Sequence, residues 1–253
     1  MTRAVVGRLS IAALMSVVAL PGRAAGTSTF SVNPVQIHLT AKSPSTLLSV
    51  RNDSDHELRF QLSAFAWDQT PQDQMRLLPT SDIVFYPPLI TLAPKEQRKI
   101  RIGTSTTFGA QEKAYRVFVE ELPYLDRNGE NTTGITVLTK MGIPIFLDAT
   151  RAVAQATLEE ISTHDGQISF RLRNTGNTHF VADKIVVRGF GGAGDVVFDT
   201  PISGWYVLAG RVRAYQIDIP EQDCARVTAA TVKVQIGTSV LDERLATPAA
   251  CRP

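Results

Sequence analysis

Along most of the chain, apolar residues alternate with polar ones or gather in short runs, and turn-forming clusters interrupt them about every eight to twelve residues. FSVNPVQIHL, TLLSVRN, RFQLSAFAW, KIRIG and AYRVFVEEL follow one another in the first half. QATLEEI, ISFRLRN, HFVADKIVVRG, DVVFD, AYQIDI and TVKVQIG fill the second. Period two is the repeat of a half-buried strand, and the three-to-four spacing of an amphipathic helix is almost absent. The pattern predicts an all-β protein of antiparallel sandwiches. SVRNDSDHELRFQLSAF (49–65) and RLRNTGNTHFVADKIVV (171–187) echo each other, each running strand, Arg-Asn, polar turn, strand. Two immunoglobulin-like domains of about 100 to 120 residues fit the length. They are expected at 26–148 and 149–253, joined near Asp148-Ala149-Thr150.

One run stands apart. Residues 135–147 read ITVLTKMGIPIFL, with Lys140 the single charge, after the polar stretch DRNGENTTG. Buried, it is an ordinary core strand. Exposed on a sheet edge, it is an aggregation hazard. As the last strand of the first domain it has a larger apolar face (Ile135, Val137, Thr139, Met141, Ile143) and a more mixed one (Thr136, Leu138, Lys140, Gly142, Pro144). A bulge would exchange the two faces. Trp67, Phe118 and Trp205 are expected in the core.

The first 25 residues differ from the rest: basic MTRAVVGR, apolar LSIAALMSVVAL, then small-residue PGRAAG. They form a secretory signal peptide, too short to span a membrane comfortably. No later segment is apolar enough for a transmembrane helix, so an exported, soluble protein without membrane insertion is expected. Losing Arg3, Arg8 and Arg23 turns 26 basic residues into 23, against 24 acidic ones. A chain so near neutrality offers no bulk charge for nucleic acid. Cys224 and Cys251, paired near the end of an exported chain, read as one disulfide closing the last two strands, with two free thiols as the alternative.

Other motifs dissolve in context. GFGGAG (189–194) fits the dinucleotide fingerprint, but DVVFD follows it as a strand, so no helix N-terminus is left to hold a pyrophosphate. A glycine-rich hairpin is expected. His38, His56, His164 and His179 lack metal-ligand spacing and read as scattered surface residues. Asn52-Asp53-Ser54 and Asn131-Thr132-Thr133 are glycosylation sequons that are more simply turns. No nucleophile meets a base, so catalysis is not expected.

Five stretches in order resemble the periplasmic chaperones of pilus (fimbrial) assembly. They are SVRNDSDHELRFQLSAFAW, DIVFYPPLITLAPKEQRKIRI, AYRVFVEELP, ITVLTKMGIPIFL and RLRNTGNTHFVADKIVV. The resemblance runs from Phe30 to the C-terminus and is densest in the first domain. It implies a boomerang of two immunoglobulin-like domains whose ITVLTKMGIPIFL strand is lent to a pilus subunit lacking its own last strand, a form of β-augmentation. It also implies delivery to an outer-membrane usher, with no cofactor. The odd-numbered face, Ile135, Val137, Thr139, Met141 and Ile143, is the expected donor. A free donor could hide its edge by forming a self-capping homodimer.

Familiar members grip the subunit's C-terminal carboxylate with an Arg in the first strand and a Lys in the donor strand. Here Gln36 and Pro144 fall at those places, so the pattern is more similar to the archaic (spore-coat-protein-like) branch. An anion still needs a cation. Arg116 in AYRVFVEELP is the expected anchor, since Arg can bind a carboxylate bidentately. Lys140 is the second choice, and pairing of Arg116 with Glu120 or Glu121 is the plainer alternative. A structural two-domain pilin or adhesin is the rival function. It would carry a donor extension at its mature N-terminus, for which GTSTFSVNP is short.

Overall fold

A computed structural model describes residues 29–72, 74–123 and 137–246, and β-strands make up most of them. The signal segment, Ile135, the polar stretch 126–134 and Cys251 lie outside the described residues. The first half supplies β1 (Phe30–Asn33), β2 (Ile37–Leu39), β3 (Ser45–Asn52), β4 (Leu58–Gln69) and β5 (Met75–Pro79). It continues through β6 (Ile83–Tyr86), β7 (Leu89–Leu92), β8 (Gln97–Thr104), β9 (Lys113–Leu122) and β10 (Lys140–Leu147). One sheet has the order β1-β3-β8-β6; the other runs β2-β10-β9-β4-β5, with β7 also paired to β4.

Alternation decides what lies between these sheets. Leu48, Val50, Ile100 and Ile102 point inward from one, and Phe60, Leu62, Val117, Val119, Ile143 and Ile145 from the other. Each such side chain contributes about 1.5–3 kcal/mol on burial. Peptide bonds 33–34 and 86–87, each preceding a proline, are cis.

The second half adds β11 (Ala156–His164), β12 (Gln167–Asn174), β13 (Phe180–Val181), β14 (Lys184–Phe190) and β15 (Val196–Ile202). Then come β16 (Tyr206–Val207), β17 (Val212–Asp218), the short helix α1 (Glu221–Cys224), β18 (Ala229–Ile236) and β19 (Ser239–Ala246). Sheets β11-β12-β17 and β15-β14-β18-β19 enclose a second core, beside a small β13-β16 pair. β12 is buried at every second position from Ile168 to Asn174.

The internal echo has a physical cause. Asn52 and Asn174 are both buried strand-end amides. The Nδ2 of Asn52 donates to the carbonyls of His56, Leu92 and Ala93, while its Oδ1 accepts from Ser54 N–H. The Nδ2 of Asn174 donates to Thr178 and Val207, and its Oδ1 accepts from Gly176 N–H. The same asparagine corner therefore pins the turn in each sandwich, using an amide that offers donor and acceptor at once.

Four expectations change. Trp205 is 44% exposed, so it is not a core residue. Phe118 is only half-buried, because it stands on the outer face of β9 opposite Val117 and Val119. Cys224 ends α1 rather than lying on one of the last two strands, and it is disulfide-bonded. The histidines are not all scattered: His38 and His179 stack at 5.7 Å where the sandwiches meet. GFGGAG, in contrast, does turn β14 into β15, with Gly194 at φ 81°.

Candidate functional site

β10 lies against β9 along its whole length, from Lys140 opposite Glu120 to Leu147 opposite Lys113. Its other edge is covered only at the end, where β2 pairs in parallel with Ile145, Phe146 and Leu147. From Lys140 to Pro144 that edge carries no strand among the described residues. Pro144 suits such a place, since proline lacks the N–H that a neighbour would require.

The expected donor residues divide along this strand. Val137 is 76% exposed, Thr139 is exposed, and Met141 is half-buried against the core. Ile143 is enclosed in the first sandwich, 1% exposed, so its side chain is not offered to a partner, contrary to expectation. The odd face turns inward wherever the opposite sheet covers it, and it emerges only beyond Met141. The regular strand also starts at Lys140 rather than further upstream. Just before it, Thr139 is held by Glu121, whose N–H donates to Thr139 O at 2.9 Å. The buried Glu121 carboxylate in turn accepts the Thr139 N–H at 3.2 Å.

The even face of β10 forms a floor with β9 and β4. Gly142, Phe118 and Ser63 make one row; Pro144, Arg116 and Phe65 make the next. A Cβ at Gly142 would sit 2.8 Å from the Phe118 ring and 3.4 Å from Arg116 Nη1, so only glycine lets the ring and the guanidinium lie side by side. Phe118 meets Phe65 edge-on at 5.8 Å.

Arg116 is the unusual member of this floor. It is 8% exposed, with Cζ 4.2 Å above the Trp67 ring. Among the described residues it has no ion-pair partner. Glu120 pairs instead with Lys140 at 2.8 Å, and Glu121 serves Thr139. The Nε of Arg116 and the Nε1 of Trp67 are both buried without a hydrogen-bond partner. Burial pulls the Arg116 guanidinium below its usual range, with a smaller opposing influence from Tyr206. A buried cation is normally paired. Here it rests on an aromatic face. Lys140, exposed, paired and 5.0 Å over the Phe118 ring, lacks that character. Gln36 bridges the His38 ring (2.7 Å) and the Tyr206 hydroxyl (2.8 Å).

The second sandwich grips this region through contacts between residues far apart in the chain. Phe146 of β10 stacks on the His179 ring at 3.6 Å and joins Trp67 and Leu208 in a small shared core. Glu112, buried beside β9, accepts hydrogen bonds from Thr178 Oγ1, His179 N–H and His179 Nδ1 at 2.8–2.9 Å. The only sequence signal for these contacts was the Asn-turn echo that contains Thr178 and His179.

The arrangement defines a class: a two-sandwich β protein in which, among the described residues, an uncovered strand edge lies beside a buried arginine without an ion pair. Residues 29–150 match the family described as pili and flagellar-assembly chaperone, PapD N-terminal domain. That match spans the N-terminal sandwich, just under half of the chain, and the chain as a whole resembles pilus-assembly chaperones of the chaperone-usher type in fold. The chain is similar to the CsuC–CsuE chaperone–tip adhesion subunit pre-assembly complex of the archaic chaperone-usher Csu pili of Acinetobacter baumannii. That match is 16% identical, covers 87% of this chain and 99% of that one, and has a TM-score of 0.57. The Salmonella enterica SafA pilin–SafB chaperone complex matches at 15% identity over 88% and 99% of the two chains, TM-score 0.59. The E. coli chaperone DraB matches at 14% identity over 87% and 100%, TM-score 0.56. These similarities support two immunoglobulin-like sandwiches. No protein of curated function matches the chain by sequence.

Proposed function

We propose that this chain captures incomplete pilus subunits in the periplasm by lending them β10 and the residues just before it, and passes them to an outer-membrane usher. It acts by binding alone. The uncovered edge of β10 from Lys140 to Pro144, continued by exposed Val137, carries this reading. An open edge supplies main-chain donors and acceptors, and side chains on one face enter the subunit's groove. Val137, Thr139 and Met141 are the donor side chains of the described residues, with Ile135 the next in sequence. Burying an apolar one contributes about 1.5–3 kcal/mol. Arg116 takes the subunit's C-terminal carboxylate and fixes the register of the two strands. Val137→Asp should abolish co-purification of pilin subunits from the periplasm while the free chaperone keeps its melting temperature. Undiminished subunit recovery with Val137→Asp would refute strand donation.

A further inference from the structure

Tyr206 is where the second sandwich reaches the arginine floor. Its ring stands edge-on to Trp67 at 5.4 Å and also contacts Phe146 and His179, at 5.9 and 5.6 Å. Its backbone carbonyl accepts from Gln69 Nε2 at 2.8 Å, so the residue is fixed from the first sandwich as well. The hydroxyl donates to Gln36 Oε1 at 2.8 Å, a neutral acceptor. Tyr206 and Arg116 share the Trp67 indole, the tyrosine edge-on to it at 5.4 Å and the guanidinium carbon 4.2 Å over its ring. Burial raises the Tyr206 phenol above its ordinary range, keeping it a neutral donor at physiological pH. Beside it, two further donors, Arg116 Nε and Trp67 Nε1, are buried without acceptors. Buried donors left without partners call for an explanation, and a missing acceptor supplies one.

We propose that the terminal carboxylate of a bound subunit is held across both sandwiches, Arg116 supplying the charge and the Tyr206 hydroxyl a second hydrogen bond as it turns from Gln36. This rests on the subunit-capture reading and adds to it a role for the second domain. A carboxylate has two oxygens, each able to accept more than one hydrogen bond, so one group can satisfy guanidinium and phenol together. Exchanging the neutral Gln36 acceptor for a charged one strengthens the tyrosine's hydrogen bond.

The test uses the ¹⁵N-labelled mature protein and the peptide acetyl-Val-Thr-Val-Thr, as free acid and as C-terminal amide. The N–H resonances of Arg116 Nε and Trp67 Nε1 report on the site. The acid should shift both, and the amide should shift neither. Tyr206→Phe keeps the ring in its aromatic setting and removes only the hydroxyl. It should raise the Kd of the acid about tenfold, the scale of one hydrogen bond to a charged group, with the melting temperature unchanged. Equal binding of acid and amide, or unaltered affinity of Tyr206→Phe for the acid, overturns the proposal. The acid–amide comparison reads carboxylate recognition and the co-purification of subunits reads strand donation, so the two readings fail separately.

Discussion

Arg116 and Lys140 are cations on adjacent strands, and their surroundings give them different work. Lys140 is half-exposed and already paired with Glu120 at 2.8 Å, an exposed ion pair of the kind that contributes about 0.2–1 kcal/mol. Arg116 is buried against Trp67 with no anion among the described residues. It has paid most of its desolvation before a ligand arrives, so an incoming carboxylate gains from a site already stripped of water. Arg116→Ala should therefore weaken subunit binding by about tenfold or more, and Lys140→Ala by far less. Pull-down of pilin subunits with each variant measures the order, and the reverse order would reassign the anchor to Lys140.

At the scale of elements, two-residue periodicity was enough to read most strands and the faces of β9 and β10. Val117 and Val119 on one, and Ile143 and Ile145 on the other, point inward as alternation requires. The point along β10 where core gives way to open edge was not legible. Met141 and Ile143 share a face and an apolar character, and they differ in how far the opposite sheet and β2 extend over them. Arg116 could be singled out as a cation amid the apolar run AYRVFV, but its aromatic support from Trp67 depends on the β4–β9 register, which the local pattern leaves open. The same holds for Cys224. Its number and compartment suggested a disulfide, while its place on α1, between β17 and β18, follows from the connection around the sandwich edge. We propose Cys251 as the partner, tying α1 to the C-terminal segment. Mass spectrometry of the unreduced protein should find a peptide linking the two and no alkylatable thiol; two alkylated cysteines without reduction would exclude it.

At the scale of the whole molecule, a strand donor is useful only if the second sandwich stays clear of the subunit while still holding the base of β10. The contacts supply the second of these. Asn177 Nδ2 donates to the carbonyls of Ala110 and Arg151, and Asn177 O accepts from Glu112 N–H. The buried Glu112 carboxylate then gathers Thr178 and both nitrogen donors of His179, whose ring lies flat on Phe146 at the covered end of β10. One carboxylate thus fixes a loop of the second sandwich beside β10. Removing one side of a buried, multiply bonded pair costs about 3–5 kcal/mol, because the remaining donors lose their acceptor. That loss falls on the junction, since Glu112 belongs to the first sandwich and its partners Thr178 and His179 to the second. Glu112→Ala should leave each sandwich folded and let them reorient. Small-angle scattering should then show a broader distribution of distances between the sandwiches, while circular dichroism keeps its β signature. Subunit capture should fall as well, because Phe146 loses its His179 partner and with it the fixed direction of β10. A scattering profile identical to the wild type would show that the apolar contacts of Trp67, Phe146 and Leu208 suffice to set the angle.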